Sequence, residues 1–129
     1  MTVTCDSSYY ANDSSKMFNG VERVFLNIKA NGVSSILHDF IAFLKVYKKS
    51  SHIVVLGVSG GIWFPLMYFM CLVGGKKLGV NIDGIEWRRR KFSIYGRVVL
   101  RILDCAAQLF SNFVIYDNDG LKSYLHKFA

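Results

Sequence analysis

Two kinds of segment alternate along this chain. Short, almost uniformly apolar runs predict strands, and longer segments with apolar residues every three or four positions predict amphipathic helices. The predicted strands are Thr2–Cys5, Val21–Ile28, His52–Gly57, Lys77–Ile82 and Asn112–Tyr116. The predicted helices run from Ser34 or Ser35, as the capping residue, to Lys48, and over Ile62–Val73, Ser93–Phe110 and Asp119–Phe128.

Helices and strands alternate from Ser34 onward, which predicts a parallel sheet with right-handed crossovers. The runs Ile53–Gly57 and Asn112–Tyr116 are apolar throughout, as expected for parallel strands that are buried on both faces. We therefore expect an α/β fold with a Rossmann-like, mostly parallel sheet and flanking helices, in a single domain over residues 1–129. One face of the long third helix is formed by Val98, Val99, Ile102, Leu103, Ala106 and Leu109.

The segment Ile53–Gly75 carries no charged residue and has about the length of a membrane span. Ser59-Gly60-Gly61 and Pro65 interrupt it, which favours a buried strand, a glycine turn and a helix with Pro65 in its first turn over a transmembrane helix. A helix as apolar as Trp63–Met70 is either well covered by protein or touches a membrane.

Charge is distributed unevenly along the 129 residues, whose net charge is +7. A cluster of basic residues indicates either an anionic partner or a solvated helix face. No RNA- or DNA-binding motif accompanies the charge, so we expect no nucleic-acid partner. The cluster consists of Arg88, Arg89, Arg90, Lys91, Arg97 and Arg101.

The cysteines and histidines give no sign of a metal site or of another cofactor. Three cysteines are an odd number and lie far apart, and the three histidines are isolated. Cys71 and Cys105 fall within apolar patterns and are expected to be buried, which favours a reducing cytoplasm.

Polar residues follow three of the predicted strands, and the loops after parallel strands meet at one edge of a sheet. Asp83 is suited to act as a general base or to orient a sugar hydroxyl, but Asp83-Gly84 is also a common turn pair. Glu86 is a second candidate acid or a partner for the arginines. Trp87 is either a platform for a sugar ring or a packing residue, and Arg88 and Arg89 are suited to bind phosphate in a bidentate manner.

The other two loops have equally open interpretations. Ser59 and Gly60 lie where backbone N–H groups and a helix N-terminus can hold an anion, although glycine also serves a tight turn. Asp117 and Asn118 complete the edge, or Asn118 caps the following helix.

The residues from Asn81 to Phe92 resemble the N-D-G-L-E-W-[KR]-R-x-K-W signature in the N-terminal domain of bacterial family 4 glycosyltransferases of the rhamnosyltransferase-like group. Leu56–Gly60 is similar to that group's lGvSG segment, and Val114–Asn118 to its viiaDn segment. The run from Asn27 to Asp39 also fits, so the resemblance covers nearly the whole chain.

This resemblance implies a GT-B architecture, in which two Rossmann-like domains enclose a cleft. The N-terminal domain binds a glycan or lipid-linked acceptor, the C-terminal domain binds a nucleotide-sugar donor, and no metal is needed. Asp83 stands where related enzymes place a catalytic or acceptor-contacting residue. This chain departs from the family in lacking its first strand and Gly-rich loop, in having Phe92 for Trp and Asp104 for Glu, and in ending before a donor domain.

We therefore expect an acceptor-side glycosyltransferase domain, truncated at both ends and inactive without the donor domain. It would act in cell-surface polysaccharide synthesis, with rhamnose as one candidate sugar. We expect the domain to be cytoplasmic and to contact the anionic inner face of the cell membrane peripherally. The alternatives are a non-catalytic membrane-associated binding module and an inactive remnant of such an enzyme.

Overall fold

A computed structural model describes residues 1–10, 13, 15–82, 84–89 and 92–125, without the side chain of Glu86. The chain divides into two compact units, Met1–Ser50 and Ser51–Ala129, called unit 1 and unit 2 below.

Unit 1 contains a three-stranded sheet and one α-helix. The first strand is parallel to the third and the second is antiparallel to it, in the spatial order first, third, second. The two strands predicted in this region are therefore confirmed. The elements are β1 Thr2–Asp6, β2 Met17–Phe18, β3 Val21–Leu26, α1 Ser34–Tyr47 and a 3₁₀ turn over Ser7–Tyr10.

Strand β2 was not predicted from the sequence. It forms a hairpin with β3 through Asn19 and Gly20, whose φ angles of 47° and 79° are both in the left-handed region. In a two-residue hairpin loop, positive φ at both central residues gives a turn that matches the twist of the flanking strands. The Asn-Gly pair was the available sequence signal for this hairpin.

The start of α1 differs from the prediction of a serine cap. The N-cap is Val33, which has no side chain able to cap, and the helix begins at Ser34. Ser35 lies inside the first turn, where its hydroxyl donates a 2.6 Å hydrogen bond back to the carbonyl of Gly32. A serine at this position satisfies a turn carbonyl rather than a helix N–H.

Asp6 ties together two loops at the carboxyl end of β1. Its carboxylate accepts hydrogen bonds from the backbone N–H and hydroxyl of Ser8, at 2.9 and 2.7 Å, and from the N–H of Ala30 at 2.8 Å. The Ser8 hydroxyl, followed by the Ala30 and Ser8 N–H groups, lowers the pKa of Asp6 because these donors favour the ionised carboxylate.

Unit 2 combines helices with a fully parallel sheet in the order β4-β5-β6. Its architecture confirms the predicted α/β, Rossmann-like fold. The elements are β4 His52–Leu56, α2 Phe64–Val73, β5 Lys77–Ile82, α3 Ile94–Leu109 and β6 Phe113–Tyr116, with 3₁₀ turns over Ser59–Trp63, Glu86–Arg88 and Asp119–Tyr124.

The prediction that β4 and β6 are buried on both faces is wrong. Burial alternates along β4, where Ile53 and Val55 are buried and Leu56 is 71% exposed, and Ile115 of β6 is also exposed. Both are edge strands of a sheet of three, so only the central β5 has a neighbour on each side. An apolar run alone does not distinguish one buried face from two.

The apolar segment after β4 folds as predicted, into a glycine-containing 3₁₀ turn and the ten-residue helix α2 with Pro65 in its first turn. Across the part of the chain that the structure describes, no helix has both the length and the apolar character needed to span a membrane. Cys71 is buried, as expected, and burial raises the pKa of its thiol, whereas Cys105 is only half-buried.

The most consequential difference concerns α3, whose apolar face lies toward solvent. Val98, Val99, Ile102 and Leu109 are exposed. Its buried residues are Asp104, Ala107 and Gln108.

The physical reason lies in the 3₁₀ turn before α2. Gly60 and Gly61 are buried, and a Cβ atom on Gly61 would lie only 2.2 Å from the carbonyl oxygen of Leu103. This backbone-to-backbone approach fixes the rotation of α3 about its axis at this contact.

The final predicted helix is shorter and of a different type. It is a 3₁₀ helix over Asp119–Tyr124, and the chain is extended at Leu125. Gly120 and Ser123 within this segment are poor α-helix formers. The remainder of the prediction, from residue 126 onward, lies outside the described residues.

Gly61→Ala is expected to destabilise the protein by about 2 kcal/mol or more, because the new methyl group collides with the backbone of α3. Urea unfolding followed by circular dichroism measures the change. Gly84→Ala is the matched control: its Cβ would meet no atom within 4 Å, so its effect should stay within about 0.5 kcal/mol. Equal stability of the two variants would contradict the close approach.

Candidate functional site

The carboxyl ends of β4, β5 and β6 form one edge of the unit 2 sheet, here called the carboxyl edge. Leu56 pairs in register with Asn81, and Asn81 with Ile115, all through parallel ladders. The segments that follow these strands therefore start side by side. Asp83, the first candidate catalytic residue, lies outside the described residues, and for Glu86 only the backbone of its 3₁₀ turn is described.

Trp87 anchors the loop after β5 onto α3. Its indole N–H donates a 3.2 Å hydrogen bond to Oδ2 of buried Asp104, and Oδ1 of Asp104 accepts a 2.9 Å bond from Gln108 Nε2. The guanidinium carbon of Arg101 lies 5.0 Å from the centroid of the Trp87 ring. Tyr124 meets the same ring in an edge-to-face contact, with the centroids 6.1 Å apart.

These contacts explain why a buried acid is tolerated in α3. Both carboxylate oxygens of Asp104 accept hydrogen bonds, so its burial leaves neither oxygen unpaired. The Trp87 indole N–H is likewise satisfied, which a buried indole normally requires. The loop that carries Gly84 and Trp87 is thereby held against a rigid helix.

Arg88 and Arg89 are exposed beside this anchor. The Arg88 guanidinium donates a hydrogen bond to the hydroxyl of Tyr124, and its Cζ lies 5.5 Å from the centroid of that ring. Tyr124 thus links Arg88 to Trp87 and brings the last 3₁₀ helix to the same cluster. Tyr124 was not predicted to belong to the site, because nothing in the local sequence pattern marks a tyrosine as the partner of a distant arginine.

The glycine turn after β4 has a clear structural role. Gly57 adopts a φ of 86° and donates a 2.9 Å hydrogen bond from its N–H to the carbonyl of Asn81, while Gly61 donates to the carbonyl of Val58 at 3.0 Å. Gly60 is buried and Ser59 is half-buried. Of this loop, Ser59 is the most accessible candidate for contact with a ligand.

The loop after β6 presents one exposed acid and one cap. Asp117 is exposed at the carboxyl edge. Oδ1 of Asn118 accepts a 2.8 Å hydrogen bond from the N–H of Gly120, so Asn118 caps the last 3₁₀ helix, which was one of its two predicted roles.

Two buried polar groups were not predicted to be site residues. Oδ1 of Asn81, at the end of β5, and both ring nitrogens of His38, in α1 of unit 1, make no hydrogen bond to the described residues. Nδ1 of His38 does lie 3.6 Å from Oδ1 of Asp39. An amide within an otherwise apolar strand was the sequence signal for Asn81. His38 gave none, because an isolated histidine in an amphipathic helix is ordinary.

Chemically, the loop after β5 forms a cationic ledge, made by Arg88 and Arg89, beside a rigid aromatic anchor. Arg88 and Arg89 supply guanidinium groups suited to phosphate. The described residues contain no group of three or more His, Cys, Asp or Glu side chains that could hold a metal ion. The ledge can therefore bind an anionic group and orient it relative to residues at the end of β5.

Asp104→Ala is expected to lower stability by about 2–3 kcal/mol, because it leaves the Trp87 and Gln108 donors without their acceptor. The indole N–H resonance of Trp87 should move and exchange faster with solvent. Asp117→Ala is the control, since Asp117 is exposed and its loss should cost under about 0.5 kcal/mol. An unchanged indole resonance in Asp104→Ala would contradict the anchoring role.

Comparison with known families identifies one that spans almost the whole sequence. Residues 2–128 match the model of a family described as a domain of unknown function, DUF1972. Searches of curated proteins and of solved structures give no match. Because the match extends through both units and includes every element described above, the chain belongs to the DUF1972 family.

Proposed function

We propose that this chain is the acceptor-side domain of a glycosyltransferase. The reaction transfers a sugar from a nucleotide-sugar to a glycan or lipid-linked acceptor during synthesis of a cell-surface polysaccharide. The observation that carries the proposal is the loop after β5, which combines the family-like D-G-x-E-W-x-R sequence with a firm anchor at the carboxyl edge. Ligands of open α/β sheets bind at this edge.

The anchor supports a catalytic role for the start of the loop. Acid–base catalysis requires the reacting group to be held in a fixed position relative to its substrate. Trp87 supplies that rigidity through its contacts with Asp104, Arg101 and Tyr124. It lies four residues after Asp83 and three after Gly84. In this proposal Asp83 activates or orients the acceptor hydroxyl, and Trp87 acts by fixing the loop.

The arginines support recognition of a phosphorylated ligand. Arg88 and Arg89 are both exposed next to the anchor, and their guanidinium groups suit the phosphates of a nucleotide-sugar or of a carrier lipid. Ser59 and Asp117, on the neighbouring loops of the same edge, are placed to contact sugar hydroxyls. Glu86 is the second acid available to the reaction.

The finer assignment rests on the sequence resemblance. It places the enzyme in glycosyltransferase family 4, in the rhamnosyltransferase-like group, with rhamnose as one candidate sugar. In the GT-B arrangement of that group, a separate domain binds the nucleotide-sugar, so activity requires a donor-binding domain. The proposed location is the cytoplasm, at the inner face of the cell membrane where lipid-linked acceptors are available.

Asp83→Asn tests the chemistry in an enzyme that joins this domain to a donor-binding domain. The change keeps the size of the side chain but removes its charge and basicity. Turnover should fall about a hundredfold or more, the usual scale for a general acid–base group, with little change in melting temperature. Release of the nucleoside diphosphate from a panel of nucleotide-sugars, with acceptor present, measures turnover.

Two further variants make the result specific. Asp119→Asn is the matched control, because Asp119 is exposed and makes only a 3.7 Å surface ion pair with Lys122. If Glu86→Gln loses most of its turnover while Asp83→Asn remains active, the catalytic role belongs to Glu86. Wild-type turnover in both variants would remove this loop from the chemistry, and no transfer from any donor would contradict the proposed function itself.

A further inference from the structure

Helix α3 presents a row of apolar side chains to solvent and buries Asp104, Ala107 and Gln108. Tyr95 is 82% exposed and Ile102 is 62% exposed, and Val98, Val99 and Leu109 are also exposed. These positions follow the three- and four-residue spacing of a single helix face. We call the stripe formed by Tyr95, Val98, Val99, Ile102 and Leu109 the α3 stripe.

The orientation of α3 is specified by contacts on its other side. Gln108 is 1% exposed and bonds to Asp104, which also holds Trp87, and Gly61 abuts the backbone at Leu103. Rotating α3 about its axis would break these hydrogen bonds and leave their buried polar groups unpaired. The stripe is therefore a fixed feature of the folded unit.

Helix α2 extends the apolar surface. Leu66, Phe69, Leu72 and Val73 are exposed along one side of this helix, and α2 contains no charged residue. Successive parallel strands β4, β5 and β6 with right-handed crossovers place α2 and α3 on the same side of the sheet. Exposed apolar side chains on two neighbouring helices are typical of a site of interaction.

The exposed charged residues of α3 itself are both arginines. Arg97 and Arg101 are exposed on α3, one helical turn from Ile94 and Val98 respectively. The only acid in α3 is Asp104, which is buried and engaged by Trp87 and Gln108. The exposed surface of α3 thus combines apolar side chains with arginines and carries no exposed acid.

These properties distinguish between possible occupants. A second copy related by two-fold symmetry would set the same surface against itself, bringing Arg97 and Arg101 toward their own counterparts with no acid on α3 to pair with. A nucleic acid would match the arginines but not the apolar stripe. An anionic lipid surface matches both, since it takes apolar side chains into its interior and attracts basic residues at its headgroups.

We propose that the α3 stripe, with Arg97 and Arg101 beside it, docks unit 2 onto an anionic lipid surface, with α3 lying along the interface. Tyr95, at the start of the helix, is of the residue type that favours the headgroup region. This inference does not depend on the catalytic role of Asp83, because no residue of the α3 stripe belongs to the carboxyl edge; of the two arginines beside it, Arg101 also contacts the Trp87 ring.

Flotation with lipid vesicles tests the docking surface on the full chain. The wild-type protein should bind vesicles that contain phosphatidylglycerol and should bind phosphatidylcholine vesicles more weakly. The double variant Val98→Ser, Ile102→Ser should weaken binding by at least about tenfold, because two apolar anchors are lost. Arg97→Gln should weaken it by about fivefold, and added salt should reduce that difference.

The matched control is Val33→Ser with Leu37→Ser, which removes one valine and one larger aliphatic side chain that are exposed in unit 1. This variant should bind vesicles as the wild type does. Absence of wild-type binding to the anionic vesicles, or equal binding by the control and the Val98/Ile102 variant, would overturn the proposal. A wild-type dimer that the Val98/Ile102 variant converts to monomer, without vesicle binding, would instead assign the surface to a second copy.

Discussion

The close approach of Gly61 to the backbone of α3 is the constraint on which the arrangement of unit 2 depends. With a Cβ position only 2.2 Å from the Leu103 carbonyl oxygen, no residue but glycine fits without movement of the backbone. The helix must turn its small and polar residues toward this contact. Asp104 and Gln108 are thereby buried and bond to each other, and the apolar residues of α3 are left at the surface.

The same constraint connects the helix to the candidate site. Once Asp104 points inward, its free carboxylate oxygen accepts the indole N–H of Trp87, and this bond fixes the loop after β5. Arg101 and Tyr124 contact the same ring, so residues from α3 and from the last 3₁₀ helix converge on the loop. Burying polar residues such as Asp104 and Gln108 normally lowers stability. Here their burial holds the loop after β5, which carries the residues proposed to act on a sugar.

The sequence was sufficient to predict the parallel strands, the crossover helices and the meeting of three loops at the carboxyl edge. Those features follow from apolar periodicity and from the topology of parallel sheets. The sequence was insufficient to predict which face of α3 is buried, because periodicity identifies an apolar face but does not show whether other residues cover it. The contact that fixes the rotation of α3 about its axis lies between Gly61 and Leu103, which are far apart in the chain.

Other differences have similarly local causes. The β2 hairpin was not predicted, although Asn19-Gly20 is a hairpin signal. Leu56 is exposed because β4 is an edge strand, but the apolar sequence of β4 is the same as that expected for a central strand. At the site, the loops could be placed from sequence, but the bonds of Trp87 to Asp104 and of Arg88 to Tyr124 could not. Such pairs depend on tertiary geometry that no short motif encodes.

The central claim is that α3 buries Asp104 and Gln108 and leaves Val98 and Ile102 exposed, and cysteine alkylation measures this directly. Val98→Cys and Gln108→Cys, each made with Cys105→Ala, place a thiol on opposite sides of the helix. We expect the thiol at position 98 to react at nearly the rate of the unfolded chain. The thiol at position 108 should react at least about a hundredfold more slowly, because it reacts only when the structure opens. Fast reaction at 108 with protection at 98 would show that the apolar face is buried and would contradict the claim.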